Sequence, residues 1–243
     1  MPNRPIVNWQ GAPAYKLAKY LNKLIQTHIP LPNAFNVRSP THLIEDLLDI
    51  PYKQGIKPAA FDIVNMYPNI PTNELPRIIE NIAHNNLIDR KITEELIKIT
   101  CTILEQNYFT FHNRHYSQNS GLAMGAPSSS ILLEIFPQYL EQTKIIRIHT
   151  QHKIVAYFRY VDDTLIVYDE NTTDIHKVHA EFNELTCTIK YTIEEGANNN
   201  INFLDISIHY KKDELQFDIY RKPTATDVII HQDSCHAPAH NGP

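Results

Sequence analysis

Apolar side chains recur at Leu17, Leu21, Leu24 and Ile25, a spacing that predicts a helix from Ala12 to His28. A proline-broken stretch from Ile29 to Pro40 ends it, and Thr41 is placed to cap a second helix through Leu43, Ile44, Leu47 and Leu48. Residues 59–66 read as a strand. Leu75, Ile78, Ile79 and Ile82 form the stripe of a helix that Thr72 or Asn73 can cap, with Pro76 tolerated in its first turn. Another helix, from about Thr93, carries Leu96, Ile99 and Ile103. Tyr108 to Phe111 and His115 to Ser117 look like a small hairpin turning at Asn113-Arg114. A glycine-bracketed loop, Gly121 to Ser130, opens a helix over 127–147. Two apolar, β-branched runs follow, Ile154–Phe158 and Leu165–Tyr168, around the polar break Arg159-Tyr160-Val161-Asp162-Asp163-Thr164. That is a hairpin pattern. Asp174–Leu185 reads as a helix, Cys187–Ile193 as a strand, and 196–200 as a turn. Runs 201–210 and 215–221 form a last hairpin around Lys211-Lys212-Asp213-Glu214. Strand, helices, hairpin, helix and strand in this order predict an α+β fold, a split β-α-β antiparallel sheet backed by helices.

Composition changes this picture little. A chain of 243 residues with 42% hydrophobic and 20% charged residues is an ordinary globular sequence. No apolar run approaches the roughly 20 residues of a membrane span, and no signal-peptide pattern opens the chain. Three widely spaced cysteines, Cys101, Cys187 and Cys235, predict a reducing compartment rather than a disulfide framework. A formal net charge of −5 is unusual for a nucleic-acid binder. Metal-binding carboxylates would account for part of it, and small basic clusters stand at Lys144, Arg147 and Lys153 and at Lys211, Lys212, Arg221 and Lys222.

Candidate chemistry begins at the polar break. Adjacent aspartates at a hairpin tip repel one another and add nothing to a core, where Asn-Gly would turn the chain at lower cost. Such a pair is either solvated or holds a divalent cation through hard oxygen ligands. A second lone carboxylate, Asp62, sits inside the apolar run Ala59–Met66, with Tyr67 five positions on and a Pro/Asn break after it. Its plain reading is a strand-end carboxylate; a charge within a strand otherwise needs a partner or a metal. The plain readings of Tyr67 and of the glycine loop are a core aromatic and a helix start with Pro127 in its first turn.

Taken in order, these stretches resemble the motifs of reverse transcriptases, and most nearly those of Penelope-like retroelements, which are related to telomerase reverse transcriptases. The resemblance rests on RPIVNWQGAPAYKLAKYL (4–21), FDIVNMYPNIPTNEL (61–75), GLAMGAPSSSILLEIF (121–136), RYVDDTLIVY (159–168), INFLDISI (201–208) and IYRKPTATD (219–227). It implies an RNA-directed DNA polymerase acting on an RNA template, a DNA primer and deoxynucleoside triphosphates in the nucleus. Two Mg²⁺ ions, or Mn²⁺ in their place, would be held by Asp62, Asp162 and Asp163. Arg4, Ile63, Tyr67, Gly121, Met124 and Gly125 would contact the incoming nucleotide. Tyr67 would be the steric gate against a 2′-hydroxyl, and the backbone N–H groups after Asp62 would cradle the triphosphate. Tyr160, Arg221 and Lys222 would meet primer and template.

The same resemblance implies three segments: residues 1–58 as partial fingers, 59–210 as the palm and 211–243 as a primer-grip hairpin with an irregular tail. Upstream fingers strands, a thumb and a GIY-YIG endonuclease would be absent, as in a truncated copy. Pro137 falls inside the helix after the glycine loop, at a cost of about 3 kcal/mol unless a kink absorbs it. Cys235, His236 and His240 have no regular zinc spacing. The alternatives to a polymerase are a catalytically inactive nucleic-acid-binding remnant of the same fold and a metal-dependent nuclease. The pattern leaves membrane association without support and the oligomeric state open.

Overall fold

The computed structural model of the chain describes residues 6–211 and 214–223. Helix α1, Tyr15–His28, buries Ala18, Leu21 and Ile25 along the predicted stripe. Helix α2, Pro40–Leu48, is capped by Ser39 and not by Thr41: the Ser39 hydroxyl accepts the His42 N–H at 3.2 Å, and Pro40 occupies the first turn, where its missing N–H costs nothing. Strand β1, Ile56–Ile63, is followed by Asn65 in the left-handed region (φ 48°) and a single turn, α3, Met66–Asn69. Helix α4, Leu75–Asn85, has Glu74 at its cap position, with no side-chain cap bond from Thr72, Asn73 or Glu74. Helix α5, Arg90–Glu105, starts before Thr93 because Asp89 accepts the N–H groups of Lys91 and Ile92. Strands β2, Tyr108–Phe111, and β3, Arg114–Ser117, turn at His112-Asn113, one residue earlier than expected. Both turn residues have positive φ, as a tight hairpin of this twist requires.

Helix α6, Ser129–Leu140, runs past the buried Pro137 into a π-helical turn, Glu141–Ile145, and on into α7, Ile146–His152. The proline does not end the helix; its irregularity is followed by the wider π turn. Strand β4, Ala156–Tyr160, and strand β5, Asp163–Asp169, form the acidic hairpin. Helix α8, Ile175–Glu184, is capped by Asp174. Strand β6 is confined to Tyr191–Glu195, so residues 187–190 are not part of it. The predicted single run 201–210 is two strands, β7 (Asn200–Phe203) and β8 (Ile206–Lys211), because Leu204 at φ 54° turns the chain. Strand β9, Glu214–Ile219, completes a three-stranded sheet.

The main sheet has the antiparallel order β4-β5-β1-β6. It is buried on both faces, which is why β5 reads as an unbroken apolar run. Ala59, Phe61, Ile63, Ile166 and Tyr168 face the larger core, shared with the helices α1 and α4 to α8. Ile56, Leu165 and Val167 face a smaller core made with Leu43 and Leu47 of α2 and Ile201, Phe203, Ile206 and Ile208 of the second sheet. No described helix is long and apolar enough to cross a membrane. Cys101 and Cys187 are free thiols. Arg4, Lys212 and the Cys235, His236 and His240 tail lie outside the described residues.

Phe182 of α8 is fully buried and meets the rings of Phe61 and Tyr191 edge-on, each at 5.3 Å. Phe182→Ala should therefore cost about 3–5 kcal/mol. Urea unfolding followed by circular dichroism checks this, and a loss below about 1 kcal/mol would mean that α8 is not docked on β1 as described.

Candidate functional site

Strand register brings two of the three candidate aspartates together. Asp62 is the penultimate residue of β1 and Asp163 the first of β5, and the two are direct cross-strand partners. Residues two apart on a strand share a face, so Asp62 and Asp163 lie on the side of the sheet that carries Leu165 and Val167. Tyr160, the partner of Asp163 on β4, lies on that side too and is 40% exposed. Asp162 stands in the two-residue turn after Val161, whose φ of 57° is costly for a β-branched residue. The Asp162 carbonyl accepts the Ile63 N–H at 3.2 Å, fastening the turn to the end of β1.

Tyr67 reaches the same end of the sheet. Asn65 reverses the chain, and the Asn69 side-chain amide donates to the Val64 carbonyl at 2.9 Å, closing the turn. The Tyr67 hydroxyl is held above its usual pKa by burial and by the nearby Asp162 charge. The glycine loop packs directly against this turn: Leu122 N–H donates to the Tyr67 carbonyl at 2.8 Å, and a Cβ at Gly121 (φ 71°) would overlap that carbonyl. Gly125 (φ 105°) plays the same part toward the N-terminal segment, since a Cβ there would overlap the Val7 carbonyl, and Val7 N–H donates to the Met124 carbonyl at 2.9 Å. Both glycines thus have a packing reason beyond any ligand. Met124 is half-buried beside them.

The Ile63 and Val64 N–H groups donate to the Asp162 and Lys190 carbonyls, so these two of the amides after Asp62 are engaged inside the fold. Lys222 lies near enough for its charge to act on Asp163. Arg221 is exposed beside it, and Arg4 lies outside the described residues.

Sequence reasoning missed a buried ionic cluster beneath the turn. Arg159 is 1% exposed. Its guanidinium donates to Glu141 (Nε, 2.5 Å), to Glu134 (Nη2, 2.8 Å), to the Asn36 side-chain carbonyl (2.5 Å) and to the Val161 carbonyl (Nη1, 3.2 Å). Burial works against the guanidinium charge, but the two carboxylates more than offset it and hold its pKa above the usual range. Burial raises Glu134 and is outweighed by Arg159, Asn36 and Gln138, leaving it below its usual value. For the deeper Glu141, burial outweighs Arg159 and the pKa rises. The signal was present: Glu134, Gln138 and Glu141 at i, i+4 and i+7 draw a polar stripe on an apolar helix, and Arg159 shares a strand face with the inward Tyr157. A charge on an inward face must be paired.

Among solved structures, the telomerase of Candida tropicalis in complex with a TWJ fragment of telomeric RNA aligns with 92% of this chain at a TM-score of 0.64 and 15% identity. A Candida tropicalis telomerase truncated from its C-terminal domain aligns with 86% at 0.63 and 13% identity. The Candida albicans telomerase with a TWJ fragment aligns with 89% at 0.60 and 14% identity. The chain shares its fold with these telomerases. This chain spans 46% or less of the length of those telomerases. No protein-family model and no curated protein sequence matches it.

Within this telomerase-like fold the acidic end of the sheet offers only oxygen donors, the ligand set of a hard divalent cation. Among the described residues, no three His, Cys, Asp or Glu side chains converge closely enough to enclose a metal by themselves. Mg²⁺ does not require this, because it is commonly bound through one or two carboxylates and completes its shell with water and phosphate oxygens. The Asp163 carboxyl is pushed up to about 6 by burial, then by the charges of Asp162 and Asp62, with Lys222 pulling the other way. Negative charge at this spot is therefore under-compensated by the protein, which fits a cation-binding end of the sheet.

The sign of the resulting pH dependence is fixed. Folded Asp163 keeps its proton up to about pH 6, whereas the unfolded chain releases it near the ordinary 3.8, so metal-free stability falls as pH rises through that window. Asp163→Asn, which cannot ionise, should melt about 2–4 °C above the parent at pH 7 in chelator, from relief of roughly 1 kcal/mol of carboxylate burial and like-charge repulsion together. The difference should vanish near pH 4. Differential scanning calorimetry at both pH values checks it, and a lower melting temperature for the variant at pH 7 would remove the repulsion from the site.

Proposed function

We propose that the chain is the polymerase core of an RNA-directed DNA polymerase of the Penelope-like type, adding deoxynucleotides to a primer 3′-hydroxyl. The observation that carries this reading is the register that sets Asp62 opposite Asp163, with Asp162 in the adjoining turn, at the open end of a telomerase-like sheet. When bound there, two Mg²⁺ ions would promote loss of the 3′-hydroxyl proton and neutralise charge on the transferring phosphoryl group. Asp62 and Asp162 would hold them, with Asp163 as the supporting carboxylate. A bond forms between the primer oxygen and the α-phosphorus, pyrophosphate leaves, and the hydroxyl proton passes to solvent.

The other residues take binding and selection roles. The Tyr67 ring, carried on a backbone held by the Leu122 N–H, stands near Asp162 and would exclude a ribose 2′-hydroxyl by clash. Tyr160, exposed beside Asp163, would touch the primer end. Lys222 would compensate phosphate charge next to Asp163, and Arg221 would follow the strand. RNA as a partner accords with the neighbour solved with a fragment of telomeric RNA; the DNA primer follows from the proposed reaction.

Primer extension on a DNA-primed RNA template with deoxynucleotides and Mg²⁺ tests the reading. Extension should depend on the metal, and Asp162→Asn should reduce it by more than about a hundredfold, because even outer residues of metal sites cost 10–100-fold when changed. Persistent extension in that variant would overturn the assignment. Primer shortening without nucleotides would favour a nuclease, and hybrid binding without turnover a non-catalytic remnant.

Tyr67→Val should admit ribonucleotides, raising their incorporation relative to deoxynucleotides by roughly 10-fold or more, as removal of a steric block predicts. Single-nucleotide incorporation kinetics check it, and unchanged discrimination would return Tyr67 to a purely structural role.

A further inference from the structure

We propose that Arg159 is a positioning residue for nucleotidyl transfer, a buried clamp that fixes the turn presenting Asp162; the inference rests on the polymerase reading above. Four observations converge on it. The guanidinium fork reaches Glu134, Glu141, Asn36 and the Val161 carbonyl at once, so it ties helix α6, the π turn and the segment before α2 to the tip of the hairpin. Val161 is the turn residue with positive φ, and its peptide carbonyl leads directly into Asp162. A left-handed β-branched residue persists only where its surroundings over-determine it, and the Arg159 N–H to Val161 carbonyl bond is such a constraint. Further, the Arg159 backbone N–H donates to the Phe35 carbonyl (2.8 Å) and its carbonyl accepts the Val37 N–H (2.9 Å), so the strand is gripped at this residue from the side as well.

The clamp is held from behind. Gln138 donates to Glu134 at 2.7 Å and to the Asn33 side chain at 2.8 Å, and the Tyr157 hydroxyl donates to Glu141. Among the described residues, the cluster is one guanidinium between two carboxylates, with amides and the Tyr157 and Tyr191 phenols around it. The Arg159 side chain bonds to Glu134, Glu141, Asn36 and the Val161 carbonyl, so its action on Asp162 runs through one turn peptide. Misplacement of a reacting group by about 1 Å can cost on the order of a hundredfold in rate.

A lysine preserves the charge but lacks the planar fork, so it cannot serve four acceptors in one plane. If Arg159 only balanced buried charge, Arg159→Lys would behave as the parent. As a positioning residue, Arg159→Lys should lower kcat for single-nucleotide addition by about tenfold or more while KM for the deoxynucleotide and the hybrid Kd stay within about twofold. Amide hydrogen exchange supplies a readout independent of catalysis. The Ile63 N–H, bonded to the Asp162 carbonyl, should exchange at least about tenfold faster in the variant, while amides at Ala60 and Leu165 in mid-sheet keep their rates. Uniformly faster exchange would reveal a merely structural role and overturn the proposal, as would parental kcat with parental Ile63 exchange. Glu134→Gln guards against misfolding: it keeps an acceptor for Arg159 and should leave Ile63 exchange within about threefold of the parent. A Glu134→Gln variant whose Ile63 exchange accelerates as in Arg159→Lys would overturn the assignment of the effect to the fork. An unsubstituted chain that neither extends primers nor binds Mn²⁺ by electron paramagnetic resonance overturns the polymerase reading, and the exchange comparison then still decides whether Arg159 sets the turn.

Discussion

Antiparallel pairing of β1 with β5 fixes nearly everything else, because it runs unbroken from Ile56 opposite Asp169 to Asp62 opposite Asp163. Along most of that ladder both faces of the sheet are covered by apolar side chains, which makes the register expensive to change: a slip of one residue would turn Ala59, Phe61 and Ile63 out of the larger core. At its open end the same ladder forces two carboxylates opposite one another, an arrangement that is unfavourable on its own. The burial gained along the strands is what holds the acidic pair in place.

The second constraint is the charged cluster beneath the hairpin. Burying a guanidinium and two carboxylates is costly, and removing one member of such a group typically costs about 3–5 kcal/mol, so its presence argues for geometry rather than for stability. The helix that delivers both carboxylates is irregular, with Pro137 inside it and a π turn beginning at Glu141. Local irregularity and buried charge meet at the one place where the strand carrying Arg159 ends in the acidic turn.

Identity of 13–15% with telomerases that share the fold shows how little of this architecture depends on particular apolar residues. Hydrophobic side chains of about the right size at alternating positions suffice for the sheet. The glycines are less replaceable. Gly121 and Gly125 sit where a Cβ would strike the carbonyls of Tyr67 and Val7, so backbone contact between the loop and its neighbours excludes other side chains.

The helical stripes, the acidic hairpin and the α+β order are legible in the chain because period and burial are local: Leu17 to Ile25, or Ile154 to Tyr168, declare their elements within a dozen residues. Boundaries were less legible. Ser39 and Asp89, rather than Thr41 or the start at Thr93, open their helices, because a cap is chosen by which side chain meets a free N–H in the folded turn. The split of 201–210 at Leu204 was hidden because a leucine in the left-handed region has no sequence signature. Asp62, Asp162, Asp163 and Tyr67 were named from the sequence, yet their meeting at one end of a sheet is a matter of register between strands a hundred residues apart. The occupied Ile63 and Val64 amides, the nearness of Lys222 to Asp163 and the burial of Arg159 between Glu134 and Glu141 were decided by tertiary packing alone. Only long-range contacts determine which polar groups find one another once water is excluded.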